Sequence, residues 1–221
     1  MPPGVSDDGT NATALAAAHQ DALAGQSYTV SLDTDLDSAA GNRTLHFEAQ
    51  TNAAGDRVVL SQRSAGGGQS MSLDVFAANG TAAVRQTAGN RSTVSTGLEQ
   101  SQTPANRLRS GAGADVHRLV AIANFTPTGV RTVDGEPLVV LEADGDDVAG
   151  TFAESNVSSF NGTVLVDEQG LVHSLSIDVR GSQGSALDSA SFSLSYSDVG
   201  ETTVKRPSWV EQAEEANATQ S

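Results

Sequence analysis

The sequence predicts an α+β fold: a single, strongly curved antiparallel sheet of about ten strands, a half-barrel, with an N-terminal helix and a mid-chain helical hairpin packed on its concave face. Three observations carry this. The apolar period is 3.6 residues as far as Gly25 and 2 from Gln26 onward. The alternating runs are short and separated by Gly and Asn turns, as in an antiparallel meander. The strands are apolar on one face only, and the helical residues are too few for a second full layer, so the sheet has to curl around them.

Residues 1–9 read as a tether. A helix follows from Asn11 to Ala24, capped by Thr10 or Asn11, with Leu15, Ala18, Ala22 and Leu23 near one face and Gly25 as the stop. In the first strand Tyr28, Val30 and Leu32 alternate with Thr29, Ser31 and Asp33, and in the next Leu45, Phe47 and Ala49 alternate with His46, Glu48 and Gln50. Further strands are expected over Arg57–Gln62, Met71–Ala77, Ala82–Gln86 and Ser92–Thr96. The alternation then breaks. Pro104-Ala105-Asn106 opens a helical stretch containing Leu108, Gly111 and Gly113 interrupt it, and Val116, Leu119, Val120 and Ala123 form a second amphipathic set, hence the helical hairpin. Strands resume over Gly129–Val133 and Pro137–Ala143, where Leu138, Val139, Val140 and Leu141 imply a strand covered on both faces. After a polar excursion from Asp144 to Ser155 come Gly162–Asp167, the turn Glu168-Gln169-Gly170, Leu171–Arg180 and Ala190–Ser197. A last strand is expected over Glu201–Lys205, leading through Pro207 to a short helix carrying Trp209. No linker or repeat divides residues 10–216, which read as one domain, and residues 217–221 read as a tail.

Composition excludes several functions. Twelve basic against 27 acidic side chains give a net charge of −15, and the eleven Arg and one Lys are scattered, so no clustered basic surface exists for a nucleic acid. Without cysteine there is no disulfide framework, thiolate zinc site or cysteine nucleophile. Lys205 is the only lysine, Asp outnumbers Glu by 17 to 10, and the apolar residues are mainly Ala and Val. This is the composition of a protein adapted to brine. At about 1 M ionic strength the Debye length falls to about 3 Å, and a dense carboxylate surface no longer repels itself.

Eight of ten asparagines stand in Asn-x-Ser/Thr: Asn11, Asn42, Asn79, Asn90, Asn124, Asn156, Asn161 and Asn217. Ser and Thr make up 45 residues, so chance would give about two such sequons. The excess makes these eight glycosylation candidates and points outside the cell. Met1 runs directly into Pro2, Pro3 and Gly4, with no export leader. The expectation is therefore that Met1 replaces a trimmed leader, and that a lipid-bearing cysteine was lost with it.

The helix, the run of strands, the mid-chain helical segment and the paired strands Gly162–Asp167 and Leu171–Ile177 together resemble the half-barrel lipoprotein carriers of the LolA and LppX/LprG type. The closing segment from Phe192 to Trp209, with Ser197-Asp198-Val199-Gly200 and Pro207-Ser208-Trp209, is similar to the C-terminal signature of haloarchaeal cell-surface lipoproteins. The resemblance implies an extracytoplasmic lipoprotein, held at the outer face of the membrane by a lipid anchor, whose concave face holds acyl chains or another apolar ligand. It implies no catalytic residues, no cofactor and no metal, and a monomer is expected.

The lining expected for that face is Tyr28, Val30, Leu32, Leu45, Phe47, Leu73, Val164, Leu175, Ile177, Phe192 and Leu194, with Leu119 and Val120 from the helical segment. The competing function is a glycosylated structural or interaction module with a filled interior and no small ligand. An enzyme ranks third: Gly-x-Ser-x-Gly, His-Glu-x-x-His and Gly-x-x-x-x-Gly-Lys are all absent. His19, His46, His117 and His173 are far apart and read as surface or core-edge histidines. Asp33, Asp35 and Asp37 share a strand face, and Glu142, Asp144, Asp146 and Asp147 crowd a loop, but neither group has the ordered spacing of a calcium loop. Both read as solvated acidic surface.

Overall fold

The computed structural model describes residues 1–103, 105, 108–145, 148 and 157–218. The features expected at Pro104, Asn106, Asp146 and Asp147 lie outside these residues, as do the side chains of Asn156 and Asn217.

Residues 1–9 are built into the domain. Strand β1 (Val5–Ser6) pairs with β2 (Gly9–Thr10), and Pro2 and Val5 are buried. Gly4 lies so close to the following helix that a Cβ there would stand 2.6 Å from the Leu15 amide. The helix α1 (Ala12–Leu23) starts where its cap predicts, with the Asn11 side chain accepting from the Ala14 amide at 3.0 Å. Its buried stripe is Leu15, Ala16, His19 and Leu23, an i, i+4, i+8 ridge that includes the histidine, while Ala18 and Ala22 stay half-exposed.

Eleven antiparallel strands form one sheet. Strands β3 (Tyr28–Ser38), β4 (Arg43–Thr51), β5 (Arg57–Gly66), β6 (Gln69–Ala78), β7 (Thr81–Ala88) and β8 (Arg91–Glu99) run as a meander. A second meander comprises β9 (Thr126–Val133), β10 (Glu136–Asp144), β11 (Val157–Val166), β12 (Val172–Gly181) and β13 (Leu187–Ser197), and β13 joins β3. The strand order 8-7-6-5-4-3-13-12-11-10-9 leaves β8 and β9 at opposite edges, so the sheet is open. Register puts the apolar residues on one face: Leu32 stands opposite both Phe47 and Leu194, Val30 opposite Ala49 and Tyr196, and Leu175 opposite Val164 and Leu194.

The chain passes between the two edges through a 3-10 turn at Gln100–Gln102 and α2 (Leu108–Val120). Among the described residues this region holds one continuous helix rather than the expected hairpin. Gly111 and Gly113 weaken a helix by about 1 kcal/mol each relative to Ala, but Gly113 is there for contact. A Cβ on it would meet the Ala16 carbonyl of α1 at 2.9 Å, so the two helices pack backbone to backbone. The strand expected over Glu201–Lys205 is also absent. The Glu201 and Thr202 amides close a turn on the Asp198 carbonyl, and the chain leaves the sheet toward Pro207.

Two cores result. The larger lies between the inner sheet face and the helices α1 and α2. A smaller one lies on the outer face, where α3 (Ser208–Ala218) brings Val210 and Trp209 against Phe76 and Ala83. Arg85 ties it together, its guanidinium 5.1 Å above the Trp209 ring and bonded to Asp74. Arg206 adds an ion pair to Glu214.

Candidate functional site

A sheet of eleven strands spaced about 4.8 Å apart is roughly 50 Å wide. Helices α1 and α2, 12 and 13 residues long, extend only about 20 Å each, and so cover part of the inner face. The structure divides the expected lining along that boundary. Val164, Leu175, Ile177, Leu194, Leu119 and Val120 are fully buried in the main core. Leu32, Leu45, Phe47, Leu73 and Phe192 are partly exposed on the same face. Tyr28 and Val30 stand between the two groups, buried but bordering a cavity.

That cavity, about 260 Å³, lies under α2 and is bounded by Val30, Phe47, Leu60, Ala112 and Tyr196. Two tyrosines hold the helix above it: the Tyr28 hydroxyl donates to the Leu108 carbonyl at 3.1 Å and the Tyr196 hydroxyl to the Ala112 carbonyl at 3.5 Å. Asp115 stands at its edge, and burial raises its carboxyl above the usual range against the pull of Arg118. Farther along the same face, past the Leu32–Phe47 pair, a second pocket of about 460 Å³ opens between Leu36, Leu45, Ser64 and Met71. Both lie on the inner face of β3 and β4, one under α2 and the other beyond it, with Leu32 on the strand between them, and this stretch of the face is the trough.

A larger hollow of about 630 Å³ lies on the outer face, lined by Asp35, Asp37, Asp178, Arg180, Asn42 and Asn161. It is charged and wet. Asp33, Asp35 and Asp37 are all exposed on this side, as their alternation predicts. The sequon asparagines Asn11, Asn42, Asn79, Asn90, Asn124 and Asn161 are exposed without exception.

His19 departs from the surface or core-edge position expected of it. Its ring is fully buried, packs edge-on against Tyr196 at 4.4 Å, and accepts from the Val172 amide through Nδ1 at 3.1 Å. Nδ1 as acceptor places the proton on Nε2, which has no partner among the described residues. Burial lowers its pKa to about 4, with Asp167 acting in the opposite sense.

Close by, Glu136, Asp167 and His173 converge, a grouping that separations of 31 and 6 residues conceal in the sequence. Burial works to raise the Asp167 carboxyl, yet the hydrogen bond from His173 and the amides of Leu171 and Gln169 hold it below the usual range. The same hydrogen bond, opposed by burial and helped by Glu136, raises the His173 imidazole.

The model of a family of unknown function, DUF7537, matches residues 3–213. No curated protein matches the chain. Among solved structures the chain is similar to LprF of Mycobacterium bovis, at 14% identity and a TM-score of 0.47, over 89% of this chain and 96% of LprF. It is also similar to a domain assigned to outer membrane lipoprotein sorting in Vibrio parahaemolyticus, at 14% identity and a TM-score of 0.20, over 89% and 95% of the two chains. A third likeness is to the MucA/MucB complex of Pseudomonas aeruginosa, at 15% identity and a TM-score of 0.34, covering 88% of this chain and 59% of that one.

Proposed function

We propose that this chain, which belongs to DUF7537, a family of unknown function, is an extracytoplasmic binding module that holds an acyl chain or another apolar ligand in the trough on its inner sheet face. The observation that carries this is the uncovered half of that face. Leu32, Leu36, Leu45, Phe47, Leu73 and Phe192 remain only partly buried along it. The 260 Å³ hollow beside Phe47 and the 460 Å³ hollow beside Leu36 and Leu45 fall near the roughly 300–1,000 Å³ typical of small-molecule sites. Apolar surface left in water loses about 25 cal/mol per Å² that burial would recover, and an acyl chain laid along β3 and β4 recovers it. The role assigned is binding, not catalysis.

Placement outside the cytoplasm rests on the eight sequons, six of them on described and exposed asparagines. Attachment through a lipid anchor and adaptation to high salt belong to the same reading. No helix among the described residues is long and apolar enough to cross a membrane.

Titration with cis-parinaric acid, a fluorescent acyl chain, tests the trough. One saturable site is expected, weakened at least tenfold in Leu36→Trp and Leu45→Trp, whose added bulk fills the 460 Å³ pocket, with the melting temperature little changed. Fluorescence that rises without saturation, or is indifferent to both substitutions, overturns the reading and favours a glycosylated module with no small ligand.

A further inference from the structure

Two hairpins bring three ligand-type side chains together at one end of the second meander. Glu136 opens β10, just after the β9–β10 turn at Asp134-Gly135, and Asp167 directly follows the end of β11. His173 lies where the β11–β12 register shifts, between the pairs Leu165–Ser174 and Val166–Val172. That bulge leaves His173 without a cross-strand partner and turns its ring toward the carboxylates. The His173 Nε2 atom is 3.4 Å from Asp167 Oδ2 and 3.9 Å from Glu136 Oε2, and the three donor atoms all lie within 4.8 Å of one another.

These separations suit an ion better than a simple contact. Nitrogen and oxygen ligands at about 2.0–2.2 Å from a tetrahedral ion stand roughly 3.3–3.6 Å apart. The 3.4 Å edge falls in that range, while it is long for a charge-assisted hydrogen bond, which prefers about 2.7–2.9 Å. The third donor, on the exposed Glu136, stands 3.9 Å from His173 Nε2, a few tenths of an ångström beyond that range, and all three atoms lie within 4.8 Å.

The outer shell is already built. Asp167 is buried, and its other oxygen, Oδ1, accepts from the Gln169 and Leu171 amides at 2.9 and 2.8 Å. Those two bonds fix the carboxylate plane and leave Oδ2 directed at the cluster, the arrangement that orients metal-ligating carboxylates. Two carboxylates and a neutral imidazole cancel the charge of a divalent ion, and the exposed Glu136 side leaves a fourth position to water.

We propose that Glu136, Asp167 and His173 form a binding site for one first-row divalent transition cation of the zinc type. One imidazole with two carboxylates is a borderline donor set, suited to zinc and its neighbours, and three protein ligands fall short of the six to eight oxygens calcium takes. The site is separate from the apolar trough and stands or falls without it.

The test is calorimetric titration of the chelator-treated full chain with zinc at neutral pH, at the ionic strength where it is folded. One equivalent is expected to bind saturably and raise the melting temperature. His173→Gln and Glu136→Gln should each weaken binding at least tenfold, while His46→Gln, on the exposed pair with Asp33, should leave it unchanged. Both site residues are partly exposed, so the variants should stay folded by circular dichroism. If one fails to fold, the other decides. Zinc heat that never saturates at one equivalent, that survives both substitutions, or that calcium reproduces overturns the proposal.

Discussion

Lowering the pH from 7 to 5 is expected to remove about 2 kcal/mol of stability through one side chain. His19 is buried neutral with a pKa lowered from 6.5 to about 4, so below pH 6.5 the unfolded chain takes up a proton that the folded chain refuses. The sign follows: the contribution is complete above pH 6.5, is lost as pH falls from 6.5 toward 4, and is level below that. Each tenfold difference in proton affinity is worth about 1.4 kcal/mol, which makes the full loss about 3 kcal/mol, with about two-thirds of it spent by pH 5. The raised His173 acts in the opposite sense, adding stability as pH falls through its folded pKa toward 6.5. Asp167, held low, loses its contribution only as pH falls below the ordinary carboxylate range. Asp115, raised by burial, likewise adds stability as pH falls through its folded pKa, so the difference between the wild type and variants lacking the histidine is what isolates His19.

The assay is urea denaturation at constant high salt, at pH 7, 6 and 5, on the wild type and on His19→Gln and His19→Leu. Glutamine keeps an acceptor in reach of the Val172 amide, and leucine orphans that amide at a cost of about 1–3 kcal/mol. Leucine should thus be the less stable of the two at neutral pH. Neither titrates, so both should lose about 2 kcal/mol less than the wild type between pH 7 and 5. If all three proteins trace parallel lines, His19 is not buried neutral and the packing of α1 on β12 is wrong.

The two glycines of α2 should respond oppositely. Gly111→Ala meets open space and should stabilise by roughly 0.5–1 kcal/mol, whereas Gly113→Val drives a branched side chain into the Ala16 carbonyl and should cost about 1–3 kcal/mol, both read from thermal melts. Gly162→Val should be similarly costly, because even a Cβ at that position lies 2.7 Å from the buried Phe125 ring. Trp209→Ala removes half-buried packing from the outer core and the cation–π contact of Arg85, for a loss of about 2 kcal/mol and faster amide exchange along α3. Dialysis from molar salt to tens of millimolar should abolish cooperative structure by circular dichroism, since the carboxylates behind the −15 charge then repel over the roughly 10–30 Å Debye lengths of dilute salt; an unchanged spectrum removes the argument for adaptation to brine.

What the sequence made legible is what local chemistry decides. The Asn11 cap, the Glu168–Gly170 turn and the parity of Phe192, Leu194 and Tyr196 each depend on a few neighbouring residues, and each appears where it is expected. The inward set of strand residues followed from that parity alone. How much of it a helix would cover did not, because coverage depends on how α1 and α2 lie on the sheet, and the Gly113–Ala16 approach that fixes them is a tertiary contact stronger than glycine's local aversion to helix. The outer core did leave a trace. Val75, Phe76 and Ala77 are apolar on successive positions, so β6 had to be covered on both faces, the same signal that marked Leu138–Leu141. For Glu136, Asp167 and His173 no local trace exists: their meeting requires β10 to pair with β11 in one register and β12 to slip by a residue at His173. A register slip inverts every side chain beyond it, so the bulge both aims His173 at the carboxylates and returns Val172 to the core, where its amide meets His19. The buried histidine and the three-residue cluster are thus consequences of one irregularity. Straightening it, by deleting Leu171 or inserting a residue beside Leu165, should abolish zinc binding and the His19 pH dependence together.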